Sequence, residues 1–290
     1  MTKRVLILGA SGMLGHACLD FIEGLPEFET YGTWRKPPQE NLRTFDAMRD
    51  SVGELINETK PDWIINCIGV IKQKIDETDE SSIAHTVQIN EDFPRHLANA
   101  VAGTKIRVIQ IATDCVFDGA VGKYYESATH NAADLYGKTK SIGEILAPEF
   151  MNLRVSIIGR EIASNYSLVD WFLSNEFGAQ VNGYSNHFWN GITTIAFAKI
   201  AAGIMQSNQF VSGTFHVIPS NEVSKYELLE LIRKHFGRED ISISPIDVPI
   251  TLDRTLRTTN QDLNRTLWEG AGYKKFPSIQ DLFEELAINS

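Results

Sequence analysis

A tyrosine and a lysine that stand four residues apart carry the clearest chemistry in this sequence. Of the eight tyrosines, only Tyr136 is followed at that distance by a lysine, Lys140. Four residues are just over one α-helical turn, so both side chains would lie on one helix face. A neighbouring positive charge favours the phenolate and lowers the tyrosine pKa, which suits a proton donor to a carbonyl oxygen. Taken alone, such a pair is more often part of a solvated helix face, so the elements around it must decide.

A glycine-rich turn near the start of the chain predicts a dinucleotide site. Residues 5–8 form an apolar run typical of a strand buried on both faces, and a helical pattern follows to Ile22. Gly9, Gly12 and Gly15 lie between them, and this spacing lets the backbone approach a pyrophosphate at a helix N-terminus. A glycine-rich turn without a ligand is the alternative. The expected cofactor contacts are Gly9, Ser11, Gly12, Met13 and Leu14.

The end of the second predicted strand indicates which cofactor is preferred. Residues 28–33 are followed by Trp34, Arg35 and Lys36. Sites specific for NAD place an acidic residue near this point to bind the ribose, whereas two cations suit the extra phosphate of NADP. We therefore expect NADP(H) as the preferred cofactor, with NAD(H) as a second candidate. Exposed loop charges are the alternative interpretation.

Two further segments are expected to contact the cofactor. A short strand at residues 42–45 precedes Asp46, which either caps a helix that runs to Thr59 or contacts the adenine. Residues 62–66 predict another strand, and the turn after it is small enough to pass beneath a cofactor. The candidate contacts in that turn are Cys67, Ile68 and Gly69.

The second chemical centre follows a later strand. Residues 106–112 predict a buried strand, and Thr113 comes directly after it. In an open parallel sheet, ligands bind beyond the carboxyl ends of the strands, so Thr113 is placed where Tyr136 could also point. The alternation of strands and helices predicts an α/β fold, a Rossmann-type doubly wound parallel sheet.

The chain is expected to divide into two parts. Residues 1–158 would form the NADP-binding domain, and residues 159–290 would mainly form a smaller C-terminal substrate-binding lobe. A segment at about 190–220 would return from that lobe to the sheet, since its pattern predicts a helix and a strand.

Charge and composition exclude several classes of partner. The chain has 290 residues, with 27 Lys plus Arg and 37 Asp plus Glu, which give a net charge of −10. Nucleic-acid phosphates and anionic lipids repel such a chain and no basic patch offsets this, so neither nucleic acid nor a membrane is an expected partner. The three cysteines suggest neither a disulfide framework nor a metal site, which fits the cytoplasm. The first apolar run is too short for a signal peptide, and the apolar segment 192–205 is too short to span a bilayer.

Four motifs stand in order along about the first half of the chain. They are GASGMLG at 9–15, PDWIINC at 61–67, TDCVFDG at 113–119 and YGKTK at 136–140. This ordered set resembles the extended short-chain dehydrogenase/reductases, and within them the dTDP-4-dehydrorhamnose reductase group of sugar-nucleotide reductases. The resemblance implies an NADPH-dependent reductase of a nucleotide-linked 4-keto-6-deoxy sugar that serves surface polysaccharide synthesis.

The resemblance also implies a catalytic role for Thr113, Tyr136 and Lys140. Tyr136 would give its proton to the substrate carbonyl and Thr113 would hydrogen-bond that oxygen. Lys140 would lower the tyrosine pKa and hold the nicotinamide ribose. Asn90, in a long helix predicted at 81–101, matches a position that supports the helix and the proton path, although a bond to its own backbone is equally plausible.

Cys115 departs from the reductase pattern, in which an aromatic residue usually stands at that position. Cysteine there resembles the epimerase/reductases that make GDP-fucose, which use it as an acid or base. Those enzymes also need a histidine on the first helix of the second lobe. Residues 168–177 contain none, and His187 lies a little later. Cys115 is therefore either a residue that lines the pocket or an acid/base for epimerisation.

The substrate side is expected to hold a nucleotide sugar. Ile157 stands where the reductases tend to have tryptophan, and Arg160 and Arg257 are candidate clamps for a diphosphate, with surface ion pairs as the alternative. The candidate substrate contacts are Val70, Thr113, Asp114, Cys115, Ile157, His187, Trp189 and Arg257.

One rival hypothesis is a protein of the same fold that binds NADP without catalysis. The regulatory subunit of methionine adenosyltransferase, which resembles the same group, is of this kind. The intact threonine, tyrosine and lysine argue against it, because a pure regulator has no chemical need of all three. Under either hypothesis, helices at 81–101 and 141–146 are candidates for a homodimer interface.

Overall fold

Within the described residues, 2–35, 42–162 and 165–289, a seven-stranded parallel sheet forms the centre of this computed structural model. The strands are β1 Lys3–Leu8, β2 Phe28–Trp34, β3 Leu42–Thr44, β4 Trp63–Asn66, β5 Arg107–Thr113, β6 Phe150–Val155, β7 Ile157–Ile158, β8 Gln180–Tyr184, β9 His187–Trp189, β10 Ile192–Thr193, β11 Gly213–His216, β12 Val223–Ser224, β13 Ser242–Ile246 and β14 Leu252–Asp253. The sheet order is β11, β6, β5, β4, β1, β2, β3, with every pair parallel. The order reverses at β1, which is where open α/β sheets bind ligands. This topology confirms the predicted Rossmann-type fold.

Helices cover both faces of the sheet. They are α1 Met13–Glu23, α2 Val52–Thr59, α3 Glu80–Val87, α4 Phe93–Val101, α5 Leu135–Ile142, α6 Leu168–Leu173, α7 Thr194–Ser207, α8 Lys225–His235, α9 Gln261–Gly270 and α10 Ile279–Ile288. Short 3₁₀ turns lie at Lys72–Lys74 and Asp114–Val116, and a π turn at Gln88–Asp92 joins α3 to α4. Among the described residues, none of these helices is long and apolar enough to cross a bilayer.

The central strands are apolar at every position because both of their faces are buried. In β1, Val5 and Ile7 pack with α1, α7 and α9, whereas Leu6 and Leu8 pack with α2 and α4. α7 packs against α1, which explains the apolar run in its sequence, and β11 then joins the sheet beside β6. A separate apolar cluster holds α6, α8 and α10 together with β9. The division of the chain into two domains near residue 158 stays a prediction.

Several predicted boundaries need correction. The helix expected at 81–101 is interrupted by the π turn, and α5 ends at Ile142 rather than near Leu146. Gly143 caps the end of α5, and a side-chain carbon there would lie 2.0 Å from the carbonyl oxygen of Asn90, so this close approach requires glycine. α2 is capped by Ser51, whose hydroxyl accepts from the Glu54 amide, so Asp46 does not cap it. The sequence reasoning missed the pair β8–β13, the strands around β9, and α9.

Candidate active site

A cleft of about 670 Å³ opens beyond the carboxyl ends of the central strands. One wall follows β1, β4 and β5 and includes α5; the other follows β6 and takes residues from more distant segments. Most of the predicted site residues line this cleft: Ser11, Gly12, Met13, Leu14, Cys67, Ile68, Gly69, Val70, Thr113, Asp114, Cys115, Tyr136, Lys140, Ile157 and Trp189.

The glycine-rich turn lies at one end of the cleft, where α1 begins. Gly9 has a φ of +82°, which favours glycine, and a side-chain carbon at Gly15 would lie only 2.2 Å from the Gly9 carbonyl oxygen. α1 begins after Gly12 with no side-chain cap and no acidic residue in its first turn, within the described residues. Its first amide groups are therefore free of competing acceptors, which fits the pyrophosphate of a dinucleotide.

The turn after β4 forms the floor of the cleft next to Lys140. A side-chain carbon at Gly69 would lie 3.9 Å from the Lys140 ammonium nitrogen and 3.4 Å from the Asn90 amide oxygen. Glycine thus keeps this surface open at the lysine. Cys67 and Ile68 extend the same floor.

Four predicted cofactor contacts do not line the cleft or cannot be placed. Arg35 is exposed at the end of β2 and does not line the cleft, and Lys36 lies outside the described residues. Asp46 is also away from the cleft, and its carboxylate accepts from the Met48 amide at 3.0 Å. Gly9 supports the turn without lining the cleft.

Asn90 ties the cleft floor to the helix that carries Tyr136. Its amide oxygen accepts from the Val70 amide at 2.8 Å, and its amide nitrogen donates to the Val70 carbonyl at 3.0 Å and to Thr139 Oγ1 at 3.4 Å. The side chain is 1% exposed. These bonds cross between segments, so the alternative of a bond to its own helix backbone is wrong.

Close packing places Tyr136 beside the end of β5. Asp134 caps α5 by accepting from the Gly137 amide at 2.8 Å. A side-chain carbon at Gly137 would lie 2.3 Å from the Cys115 carbonyl oxygen, so only glycine lets the first turn of α5 approach this closely. Thr113, Tyr136 and Lys140 consequently line the same part of the cleft.

Burial dominates the protonation of Tyr136. It raises the pKa of the phenol well above its ordinary value, and the negative charges nearby act in the same direction, while a hydrogen bond with Thr113 opposes them. The expectation of a lowered tyrosine pKa is therefore not met, because burial and the nearby negative charges dominate. The phenol keeps its proton at neutral pH and is available as a donor.

Lys140 is itself perturbed by its surroundings. Its ammonium group donates to the Ile111 carbonyl at 3.3 Å. Burial lowers the pKa of Lys140, and the negative charge of Glu144 partly restores it. Lysine in this position therefore loses its proton at a lower pH than an exposed lysine does.

The Cys115 thiol is poorly suited to acid/base chemistry. Burial and the nearby Asp114 carboxylate raise its pKa to about 12, and the sulfur lies 3.7 Å from Asp114 Oδ1. A thiol acts as a base or nucleophile only as the thiolate, which is scarce here at neutral pH. The geometry supports the interpretation of Cys115 as a lining residue.

Sequence reasoning did not identify two cationic residues on the second wall of the cleft, the wall that follows β6. Arg254 donates from Nε to the Phe117 carbonyl at 2.8 Å, and the Lys225 ammonium lies 5.9 Å from the centre of the Trp189 ring. Both line the cleft and face the buried Asp114, whose pKa is raised by burial and lowered by their charges. No local motif marks them, because each stands beside a strand of two residues.

Three predicted substrate contacts lie outside the cleft. His187 bonds to the Ile250 carbonyl at 3.2 Å and packs against Tyr184, outside the cleft. Arg257 pairs with Glu222 at 2.8 Å and Arg160 with Asp170 at 2.6 Å, so these arginines make ion pairs rather than a clamp in the cleft. His187 therefore does not take the place of an epimerase histidine.

The cleft carries an excess of positively charged side chains, although the net charge of the chain is negative. Its described lining contains five cations, from Lys72, Lys74, Lys140, Lys225 and Arg254, and two acids, from Asp114 and Glu161. In a chain with a net charge of −10, this local excess attracts anionic ligands to the cleft. No cluster of potential metal ligands occurs among the described residues.

Comparisons with known proteins agree with this geometry. The family model described as RmlD substrate binding domain matches residues 3–287. Methionine adenosyltransferase 2 subunit beta from Xenopus tropicalis is 35% identical over 283 residues, 93% of this chain and 83% of that protein. dTDP-4-keto-6-deoxy-D-glucose reductase from Streptomyces niveus is 24% identical over 278 residues, 94% and 92% of the two chains. The crystal structure of dTDP-4-dehydrorhamnose reductase from Bacillus anthracis in complex with NADP covers 100% of both chains, with a TM-score of 0.80 and 21% identity, and this likeness concerns the fold.

Proposed function

Because the chain belongs to the RmlD substrate-binding domain family, we propose that it is an NADPH-dependent reductase of a nucleotide-linked 4-keto-6-deoxy sugar. The observation that carries the proposal is the meeting of Thr113, Tyr136 and Lys140 in one cleft with the uncapped start of α1. The related Streptomyces protein, which is named as a reductase of such a sugar, supports the substrate class.

The cofactor end of the cleft is formed by this chain's backbone. Amides at the start of α1 and the turn after β4 would hold the dinucleotide, and Arg35 would meet the additional phosphate of NADP. When bound, NADPH supplies the hydride. The Bacillus anthracis relative, described in complex with NADP, supports NADP(H) as the preferred cofactor, with NAD(H) as the second candidate.

The proton comes from Tyr136. Its phenol is protonated at neutral pH because burial raises its pKa, so it can donate to the carbonyl oxygen as that oxygen becomes negative. The Thr113 hydroxyl is placed at the end of β5 to hydrogen-bond the same oxygen. Lys140, buried beside them, would stabilise the negative charge that remains on the phenol and would hold the nicotinamide ribose.

The second wall holds the substrate. Arg254 and Lys225 provide the positive charge for the diphosphate of the nucleotide, since guanidinium and ammonium groups bind phosphate oxygens strongly. Trp189 and Ile157 provide apolar surface beside them, and the Trp189 indole is fixed by a bond to Ser156 Oγ at 2.8 Å.

The alternatives are not favoured. An epimerase/reductase needs an ionisable Cys115 with a histidine partner, and the cleft contains neither a low-pKa thiol nor His187. A subunit that binds NADP without catalysis needs no proton donor, yet Thr113 and Tyr136 both line this cleft.

We further propose a cytoplasmic homodimer that serves polysaccharide synthesis. α3, α4 and the end of α5 would form the interface. The support is the exposure of Ile142 and Leu146, which are 46% and 79% exposed and lie beside the turn after α5. Sedimentation of the purified protein tests the dimer.

The decisive experiment offers NADPH, or NADH in parallel, with dTDP-, UDP- and GDP-linked 4-keto-6-deoxy sugars and follows the loss of NADPH absorbance. We expect oxidation with one sugar, and a loss of about 100-fold or more in kcat in the Tyr136→Phe variant. NADPH should raise the melting temperature of variant and wild type alike. If NADPH binds but is oxidised with none of the sugars, the regulatory alternative is favoured. A wild-type turnover rate in Tyr136→Phe would contradict the proposed mechanism.

A further inference from the structure

A buried ion pair lies directly behind the end of the helix that carries Tyr136 and Lys140. Arg154 on β6 is 2% exposed and donates to both carboxylate oxygens of Glu144, from Nε at 2.9 Å and from Nη2 at 2.5 Å. The Glu144 side chain is 6% exposed. A bidentate pair of this kind fixes orientation as well as distance. Since Glu144 follows α5 by two residues, the pair anchors the end of that helix to the sheet.

A second chain of hydrogen bonds leads from Arg154 to the same helix. Its Nη2 contacts His130 Nε2 and its Nη1 contacts His216 Nε2, both at 2.7 Å. A guanidinium can only donate, so both imidazoles accept at Nε2, are neutral, and carry their proton on Nδ1. His130 Nδ1 then donates to Ser141 Oγ on α5 at 2.6 Å. Arg154 is therefore connected to the last turn of α5 by two routes.

Glu144 also acts on the charge of Lys140. It stands four residues beyond Lys140, and its negative charge opposes the lowering of the lysine pKa by burial more strongly than any other group. The Cys67 thiol, from the turn after β4, acts on the lysine in the same direction, and the Tyr136 phenol lines the same cleft. Arg154 pairs with Glu144 through both carboxylate oxygens and so fixes the position of this acid.

We propose that Glu144, held by Arg154, is a positioning residue for the reduction: it fixes the last turn of α5, which carries Lys140, and places a carboxylate behind that lysine. This inference rests on the proposed function, because it assigns Lys140 a role in the reaction. Glu144 does not line the cleft, so it acts through the helix and through its field rather than by contact with ligands.

The test is Glu144→Gln, which removes the charge and keeps the shape and an oxygen that accepts from Arg154. Without the anion, the ammonium form of Lys140 is less favoured and loses its proton at lower pH. We expect the alkaline limb of the pH profile of kcat/KM to move down by about one pH unit. Glu149→Gln is the matched control, because Glu149 is equally buried at 8% exposure but accepts from the Gly103 amide at 3.0 Å. Glu149→Gln should leave the pH of the alkaline limb of kcat/KM unchanged.

A second measurement does not depend on turnover. The rate at which an amine-reactive anhydride modifies Lys140 in the protein without ligands, read by peptide mass spectrometry over a range of pH, reports when the lysine loses its proton. The midpoint should move down in Glu144→Gln and not in Glu149→Gln. A shift here without activity toward any sugar would overturn the proposed function alone, whereas an unchanged midpoint would overturn the role of Glu144.

A further variant separates position from charge if Glu144→Gln fails to fold. Glu144→Asp keeps the carboxylate but shortens it, so it cannot make both bonds to Arg154. We expect the alkaline limb to stay at its wild-type pH while kcat falls about tenfold. An unchanged kcat would refute the positioning role.

Discussion

The two walls of the cleft are built in different ways. The strand-end wall consists of the turns after β1, β4 and β5 together with α5, and its functional residues stand either directly at the end of a buried strand or on α5. The assembled wall consists of Ser156, Ile157, Trp189, Lys225 and Arg254, which come from separate segments of the chain. The comparison indicates that the sheet positions the residues that react, whereas tertiary contacts between separate segments position the residues that select the substrate.

The supports of the two walls differ accordingly. The strand-end wall is fixed by the backbone ladder of a parallel sheet and by Asn90, which bonds to both sides of Val70. The assembled wall depends on single side-chain contacts, such as the bond from Trp189 to Ser156 and from Arg254 to the Phe117 carbonyl. Changes in the first wall should therefore alter kcat, and changes in the second should alter KM.

The largest effect that tests this comparison, after loss of the Tyr136 hydroxyl, is expected from Thr113→Val. The two side chains have nearly the same shape, so the variant removes the hydroxyl that would bond the substrate oxygen and that accepts from the Cys115 amide at 3.2 Å. We expect kcat to fall about 100-fold, as for removal of one donor to a developing oxyanion. Steady-state kinetics with the accepted sugar measures this.

Thr59→Val serves as the control for that variant. Thr59 is a buried threonine on α2 that bonds to the Leu55 carbonyl, far from the cleft. It should leave kcat unchanged. A Thr113→Val enzyme with a normal kcat and a raised KM would contradict the assignment of chemistry to the strand-end wall.

The next effect concerns the assembled wall. Lys225→Met and Arg254→Met each remove one positive charge from the substrate side and leave the cofactor side untouched. We expect KM for the nucleotide sugar to rise about tenfold in each, with the Kd for NADPH unchanged, since one charged hydrogen bond contributes about that much. Kinetics and NADPH titration by fluorescence separate the two quantities.

Lys234→Met is the matched control on the same helix. Lys234 is exposed at the far end of α8, so its loss should change neither KM nor Kd. Weaker NADPH binding in Lys225→Met would show that the two walls do not divide substrate from cofactor as described.

The same difference explains what sequence reasoning found and what it missed. Thr113 and Tyr136 were predictable because a buried strand and a helical spacing fix where their side chains point. Lys225 and Arg254 were not, because β12 and β14 are only two residues long and show no periodic pattern. Arg257, predicted as a clamp, pairs with Glu222 instead, and nothing in the spacing distinguishes it from Arg254.

The pKa values of the site residues are the other property that the sequence alone does not predict. The spacing of Tyr136 and Lys140 was read correctly as one face of a helix, but the direction of the tyrosine pKa was not, since it depends on burial. In the same way, Asn90 was identified by position while its partners, Val70 and Thr139, became visible only in the fold. The pattern of a motif fixes neighbours along a helix, whereas the dielectric around them is set by the whole molecule.

The smallest expected effect is that of Cys115→Ser. This variant tests whether a residue can line the strand-end wall without taking part in the reaction. A hydroxyl cannot replace a thiolate as acid or base, so an epimerising Cys115 would lose about 100-fold or more in rate and change the stereochemistry of the product. Because burial and Asp114 raise the pKa of this thiol to about 12, it stays neutral and can only pack. We therefore expect kcat and KM within about threefold of wild type and the same product by NMR, since serine fills nearly the same volume.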